Sequence, residues 1–489
     1  MKVMGNDATI INDLRAQVAA LKALVEQLVA QCAEKDRIIA ELTAQNAKLT
    51  ATVKAQAAQI ADLKGKLAAA NKNSSNSSMP PSSDLFKPTP PKRRRKKKSG
   101  AKRGHPRHTR APFPPEEVDE VVVVAPVPCP RCGHAMERLT QYGFCQQVEL
   151  VEKPCRVTEF RAHTFSCPHC GKEHRPQFPP GVRRLLGERL TAAAAFLKAD
   201  GHGSYRSIRR FFDDVFHLRA SNGLLANTVA RTSEALAPAH AELRERLKGE
   251  AVLNVDETSH KDAGRRHWTW AFCADGFVLF QIANGRGAAV LDEALGDDFA
   301  GTIGSDYYGA YRSFHERHPS KAQFCWAHLK REIRALIESP DRATASFGQR
   351  VEDARERLFR ARRRKRPQRC LAAHALKVVR AIKGARASRP GIANLKKRFK
   401  EHAAGYLRFL NDPHVEPTNN VAERALRHCV IDRKVTQGTR GETGERWCER
   451  AWTAVMTCRK HGRSAFEFFL DALRAYTNGT PAPSLLKNP

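Results

Sequence analysis

The chain has 489 residues, too many for one compact core, so several domains are expected. Its 84 Lys and Arg against 51 Asp and Glu leave a formal net charge of +33, which disfavours a simple metabolic enzyme and favours a polyanionic partner. No window approaches the ~18 consecutive apolar residues of a membrane span, and the N-terminus lacks a signal-peptide pattern. The 13 cysteines are too sparse for a disulfide scaffold, so metal-bound thiolates in a reducing interior are the better reading.

Residues 8–70 read as a coiled coil resembling a leucine zipper. Between Ile11 and Leu67 there is no Pro, Gly occurs only at Gly65, and one heptad frame holds throughout. Ile11, Val18, Val25, Cys32, Ile39, Asn46, Val53, Ile60 and Leu67 fall at a; Leu14, Leu21, Leu28, Lys35, Leu42, Leu49, Gln56 and Leu63 fall at d. β-Branched a residues with Leu at d favour a parallel dimer, and Asn46 would fix its register. A homodimer or higher oligomer through this segment is therefore expected, against the alternative of a long helix packed on its own chain.

Residues 71–115 read as a disordered basic linker. A Ser, Asn and Pro-rich stretch comes first, and Lys92 to Arg110 then carries 11 basic residues and no acid. Lys92, Arg93, Arg94, Arg95, Lys96, Lys97 and Lys98 head this run, which suits an arm that tracks DNA phosphates. A solubilising tail and a nuclear localisation signal are the plainer alternatives.

Residues 116–180 carry two knuckles, Cys129-Pro-Arg-Cys132-Gly and Cys167-Pro-His-Cys170-Gly, 34 residues apart. Four thiolates on two tight turns make a closed tetrahedral site for one structural Zn²⁺, and the strand-like segments between them suit a zinc ribbon. Residues 185–248 have helical spacing, a break at Gly201 to Gly203 and a cap at Ser221. With Arg206, Arg209 and Arg210 they form a region like a helix-turn-helix that suits DNA, or a plain helical spacer.

The chemistry follows residue 249. AVLNVDETSH, HWTWAFCAD and GFVLFQIAN read as three meandering strands, the last two joined at Asp275-Gly276. GTIGSD, a helix at YGAYRSFHE and another strand at AQFCWAH come next. This order is the sequence shape of an RNase H-like mixed sheet, in which acids at the ends of the first and fourth strands meet at one edge. The fold expected is therefore multidomain α+β with a mixed α/β catalytic domain.

Asp256 or Glu257, Asp306 and Glu423 are the acids available. Phosphoryl transfer on DNA asks for hard oxygen ligands around two Mg²⁺ (or Mn²⁺) ions ~4 Å apart, and three carboxylates offset most of that charge. Glu423 shares a helix face with Asn420, Arg424 and Arg427, near Arg433 and Lys434, a setting for metal and phosphate together. Each acid also has a plain structural reading: a strand end in solvent for Asp256 or Glu257, a helix cap for Asp306, and a capping box with Asn420 for Glu423.

Together the zipper, the NSSMPPSSD segment, both CPxCG knuckles, NVDET, GTIGSDYYGAY, CWAHLKREI and PTNNVAERALR resemble the insertion sequence 66 family of bacterial transposases. That resemblance implies an RNase H-like core with a DDE metal site of Asp256, Asp306 and Glu423. It leaves Glu257 in the motif as the lesser ligand candidate. It also implies a helical insertion, fitting residues 327–415, between a first part of the core at 249–326 and C-terminal helices at 416–480. The activity implied is binding of the element's terminal inverted repeats, hydrolysis to free a 3′ hydroxyl, and in-line attack of that hydroxyl on target DNA. A cytoplasmic, nucleoid-associated protein follows, with accessory proteins of the same element as further partners and no membrane. Competing with it are a non-catalytic dimeric zinc-containing DNA-binding regulator and another RNase H-like nuclease, such as a Holliday-junction resolvase.

Overall fold

A computed structural model describes residues 4–70, 111–123, 130–131, 134, 145–170, 172–182, 184–385 and 389–486. The basic run Lys92 to Lys98 and the knuckle cysteines Cys129 and Cys132 lie outside the described residues. Packing divides the chain into two units. One comprises Met1–Pro88, Lys330–Arg366 and Leu376–Lys397; the other comprises Thr89–Leu329, Pro367–Ala375 and Arg398–Pro489.

The first unit holds α1 (Met4–Ala70), a single uninterrupted helix whose length the absence of Pro permits. Ile11, Leu14, Val18, Leu21, Val25 and Leu28 on its heptad seam are 48–59% exposed, so the seam's apolar side chains face solvent in the single chain. The same unit holds α8 (Arg342–Arg363), capped by Asp341, whose carboxylate accepts from Thr344 N–H. Phe347, Val351 and Leu358 are its buried stripe. The described part of residues 327–415 is largely helical, comprising α7 (Trp326–Ile337), α8, α9 (Gln368–Lys383) and α10 (Pro390–Leu407).

The second unit is built on a five-stranded mixed sheet. β3 (Val252–Asp262), β4 (Arg265–Cys273) and β5 (Val278–Ala283) form an antiparallel meander. β6 (Thr302–Ser305) and β7 (Lys321–Phe324) add in parallel on the other side of β3, giving the order β5-β4-β3-β6-β7. Asp275-Gly276 turns the β4–β5 hairpin, closed by Ala274 N–H on the Phe277 carbonyl. The β3–β4 hairpin turns at Ala263 and Gly264, both at positive φ, so β3 runs past His260 to Asp262.

Helices cover both faces. α5 (Ala289–Leu295) and α6 (Gly309–Arg317) follow β5 and β6, while α11 (Asn420–Thr436) packs against β3 and β4. α12 (Glu442–Lys460) lies along β5 and protects that sheet edge. Three side chains four residues apart do so: Glu449 accepts from Ile282 N–H at 2.6 Å, Thr453 from Phe280 N–H at 3.0 Å, and Thr457 from Val278 N–H at 3.2 Å. α13 (Ala465–Asn478) completes this layer.

The helical region expected at 185–248 appears as α2 (Glu188–Ala199), α3 (Tyr205–Phe216) and α4 (Asn222–Leu247), with Ser204 capping α3 and Ser221 capping α4. Ile208, Phe212, Ala220 and Leu225 form a small core within it. Ala195, Val229, Leu236 and Leu243 share one continuous core with Phe272, Phe280, Trp452 and Phe469. The tryptophans behave as core residues, with Trp270, Trp326 and Trp452 at most 2% exposed.

Among the described residues of the cysteine module, residues 145–164 carry no strand, and β1 (Phe165–Ser166) pairs with β2 (Glu173–His174) around the second knuckle. Val157, Phe160 and Phe165 stay exposed. Alternating residues extend into a ladder only where one face finds an apolar layer, and these do not.

Candidate active site

Asp256 was expected at a strand end, but it lies inside β3. What ends there is the neighbouring strand. β3 and β6 pair in parallel up to Asn254 and Gly304; Asp256 stands two residues further along β3, and Asp306 follows Ser305, the last residue of β6. Asp306 Oδ1 accepts from Tyr308 N–H at 2.8 Å, an Asx turn that leads into α6 without capping it, since Tyr308 is the N-cap.

Glu423 sits in the first turn of α11, whose N-cap is Asn419 with no side-chain cap bond, so the capping box with Asn420 does not form. Asn419, absent from the expected site residues, does the positioning. Its Nδ2 donates to Val255 O at 2.7 Å, its Oδ1 accepts from Asn254 Nδ2 at 3.0 Å, and its own N–H points to Cys325 Sγ at 3.2 Å. One 1%-exposed residue thereby links the start of α11 to the first half of β3 by its side chain and to the residue after β7 by its backbone. Gly304 makes room for this link: a Cβ there would stand 2.4 Å from Asn254 Nδ2. Only the Asn-Asn doublet in PTNN hinted at it.

Charge gathers at this edge. Burial, and then the charges of Glu257, Asp306 and Glu423, push the Asp256 carboxyl well above the usual carboxylate range. Glu423 Oε1 lies 3.7 Å from His328 Nδ1, and Cys325, His328 and Glu423 each bring one donor atom within 4.8 Å of the others. The oxygens of Asp256, Asp306 and Glu423 are hard donors of the kind that Mg²⁺ or Mn²⁺ takes, while the donors within 4.8 Å of one another here are those of Cys325, His328 and Glu423.

Glu257 points to the opposite face of β3. Its Oε1 accepts from Arg286 Nε at 2.7 Å and its Oε2 from the Tyr311 hydroxyl. The Arg286 guanidinium in turn lies over the rings of Trp268 and Tyr308, 4.7 and 4.0 Å from their centroids. Burial raises the Glu257 carboxyl, and the Tyr311 and Arg286 bonds oppose that rise.

The remaining candidates do not all gather at the acids. Arg433 is half-buried and donates to Ser259 Oγ at 3.1 Å, holding the end of α11 to β3. Arg424, Arg427 and Lys434 are exposed on α11, and Arg206, Arg209 and Arg210 are exposed on α3. Cys167 and Cys170 occupy one tight turn, where the backbone N–H groups of Cys170 and His169 hold the Cys167 thiol below its ordinary range.

Among known proteins, the transposase IS66 family matches residues 183–446, a span that holds all three acids, and a family of unknown function matches residues 33–111. Two relatives come from Sinorhizobium fredii (strain NBRC 101917 / NGR234). Uncharacterized protein y4qI is 26% identical over 335 residues, covering 62% of this chain and 61% of its own length. Uncharacterized protein y4hP is 24% identical over 415 residues, covering 72% and 71%. The chain thus spans about three fifths of the length of y4qI. No helix among the described residues is long and apolar enough to cross a membrane.

Proposed function

The chain belongs to the transposase IS66 family, and on that premise we propose that it cuts and joins DNA at the ends of its element through Asp256, Asp306 and Glu423 on an RNase H-like core. The strand order supports this core: with the strands counted from β3, the sheet reads third, second, first, fourth, fifth. What supports the proposal is that Asp306 and Glu423, from separate elements, both act on the charge of Asp256, whose carboxyl is pushed up first by burial and then by its acidic neighbours.

Asp256, Asp306 and Glu423 would hold two Mg²⁺ or Mn²⁺ ions, which would supply activation of the attacking oxygen and stabilisation of the leaving one. Asn419 sets the distance from Glu423 to Asp256, and Asp306 is oriented by Tyr308 N–H. Glu257 keeps β3 rigid behind the acids through Arg286 and Tyr311. Arg424, Arg427 and Lys434 on α11, with Arg206, Arg209 and Arg210 on α3, contact DNA phosphates in the manner of exposed cations. The basic run from Lys92 to Lys98 adds a sequence-independent grip. Cys129, Cys132, Cys167 and Cys170 would hold one structural Zn²⁺, and the exposed apolar seam of α1 would pair two copies of the chain.

The test uses full-length protein with a supercoiled plasmid carrying the DNA that flanks its gene. With Mg²⁺ the wild type should nick at the element ends and join the resulting 3′ hydroxyls to new sites. Asp256→Asn should lose both reactions and keep end binding. Normal cleavage by a folded Asp256→Asn protein would overturn the assignment. DNA binding without any metal-dependent cleavage by the wild type would replace it with the regulator reading.

A further inference from the structure

At the opposite end of β3 from the catalytic acids a second group of metal-capable side chains converges. Asp262 ends β3, His267 lies on β4, and Glu445 lies in the first turn of α12. One donor atom from each lies within 4.8 Å of the other two. Glu445 is 8% exposed, and its Oε1 is sealed from solvent without a hydrogen bond. His267 Nδ1 approaches that oxygen to 2.7 Å, but not in the alignment an N–H donor needs. Asp262 accepts from the Thr439 hydroxyl at 2.8 Å and from Gly441 N–H at 2.6 Å, both on Oδ1, which leaves Oδ2 without a hydrogen bond.

The geometry points to a divalent-cation site formed by Asp262, His267 and Glu445, separate from the catalytic acids. A buried carboxylate oxygen without a donor is costly, and a cation is the partner that one imidazole and two carboxylates offer to share. That donor set suits a first-row transition ion such as Mn²⁺ or Zn²⁺ better than Mg²⁺, which prefers oxygens alone. Bonds to such an ion are ~2.1 Å long, so side-chain shifts of ~1 Å gather the three donors around it. The Gly441 and Thr439 bonds keep the Asp262 carboxyl below its ordinary range, in the ionised form a ligand needs.

The ion would fasten three elements. The loop between α11 and α12 already docks on the hairpin, with Thr439 N–H donating to Lys261 O and Ala263 N–H to Thr439 O, each at 2.9 Å. Gly438 allows this approach, since a Cβ there would stand 2.1 Å from Lys261 O. A cation would tie that loop and the start of α12 to the same strand that carries Asp256. It serves as a staple for the catalytic frame, and it takes no part in the reaction.

Mn²⁺ binding by electron paramagnetic resonance tests this in full-length protein carrying Asp256→Asn, Asp306→Asn and Glu423→Gln, which removes the proposed catalytic ligands. The expected result is one Mn²⁺ per chain, with nitrogen hyperfine coupling from an imidazole. Adding His267→Ala should abolish that coupling and weaken binding at least tenfold. Adding Glu445→Gln should weaken binding similarly. Asp262→Asn retains the acceptor for Thr439 and Gly441 and should also weaken it, which guards against misfolding of the buried variants. Absence of bound Mn²⁺ in the triple variant, or equal affinity after Glu445→Gln and Asp262→Asn, would reduce the cluster to a His–Glu ion pair and overturn the proposal. Cleavage of DNA by the wild type is a separate question, and neither result decides the other.

Discussion

Asp256 and Glu257 are neighbours in one motif, yet the two faces of β3 treat them in opposite ways. On one face the Asp256 carboxyl finds, among the described residues, no donor but its own neighbour's N–H, and it rises through burial first and then through the charges of Glu257, Asp306 and Glu423. On the other face Glu257 meets a cation and a phenol, and both its oxygens are occupied. A strand alternates its side chains, so two adjacent acids are separated into two environments without any further device. One environment is complete within the chain; the other becomes favourable only when positive charge arrives. Function is expected on the face left electrostatically incomplete, and stability on the face that is satisfied.

Five substitutions bear on that contrast. Asp256→Asn should lower DNA cleavage by about a thousandfold or more, because removing a ligand forfeits several kcal/mol of transition-state stabilisation. It should leave the fold intact and raise the melting temperature of metal-free protein near neutral pH. The raised carboxyl of Asp256 contributes most to stability below its unfolded-state value and loses that contribution as pH climbs through the folded one. Mg²⁺ should therefore protect the wild type against heat more at pH 8 than at pH 5. A destabilised Asp256→Asn protein would break the comparison.

Glu257→Ala should act the other way. It leaves the Arg286 guanidinium without its carboxylate, at a cost of about 3 kcal/mol, read as a shifted denaturation midpoint. Its cleavage should fall only with the folded fraction; full stability with no cleavage would move Glu257 into the metal site. Asn419→Ala removes two bonds and strands Asn254, which should cost about 2 kcal/mol and slow cleavage without weakening DNA binding. Arg424→Ala or Arg427→Ala should have the smallest effect. Binding should weaken a few-fold on any sequence, with the salt dependence of log affinity flattened by about one unit per residue.

Much of this organisation was legible in the residues. Apolar alternation marked the meander, Asp275-Gly276 marked a hairpin, and the heptads marked α1. The three acids were legible as candidates because strand-ending and helix-facing patterns are local. Their surroundings were not. Asn419 reaches β3 across 164 positions, and Arg286 finds Glu257 across 29, so neither pairing leaves a trace in local spacing. The hairpin at Ala263 and Gly264 was also hidden, because Lys261 and Asp262 carry no apolar alternation to mark a strand continuing there. The edge of β5 gives a similar lesson: Glu449, Thr453 and Thr457 look like an ordinary polar stripe until the unpaired backbone they satisfy is known.

The central claim is that Asp256, Asp306 and Glu423 form one cation site. Substituting Fe²⁺ for Mg²⁺ and adding ascorbate and peroxide cuts the backbone wherever the ion sits. Cuts near residues 256, 306 and 423 should appear together, be suppressed by excess Mg²⁺, and disappear together in Asp306→Asn. Cuts near only one of the three, or cuts near 256 and 423 that survive Asp306→Asn, would contradict the account.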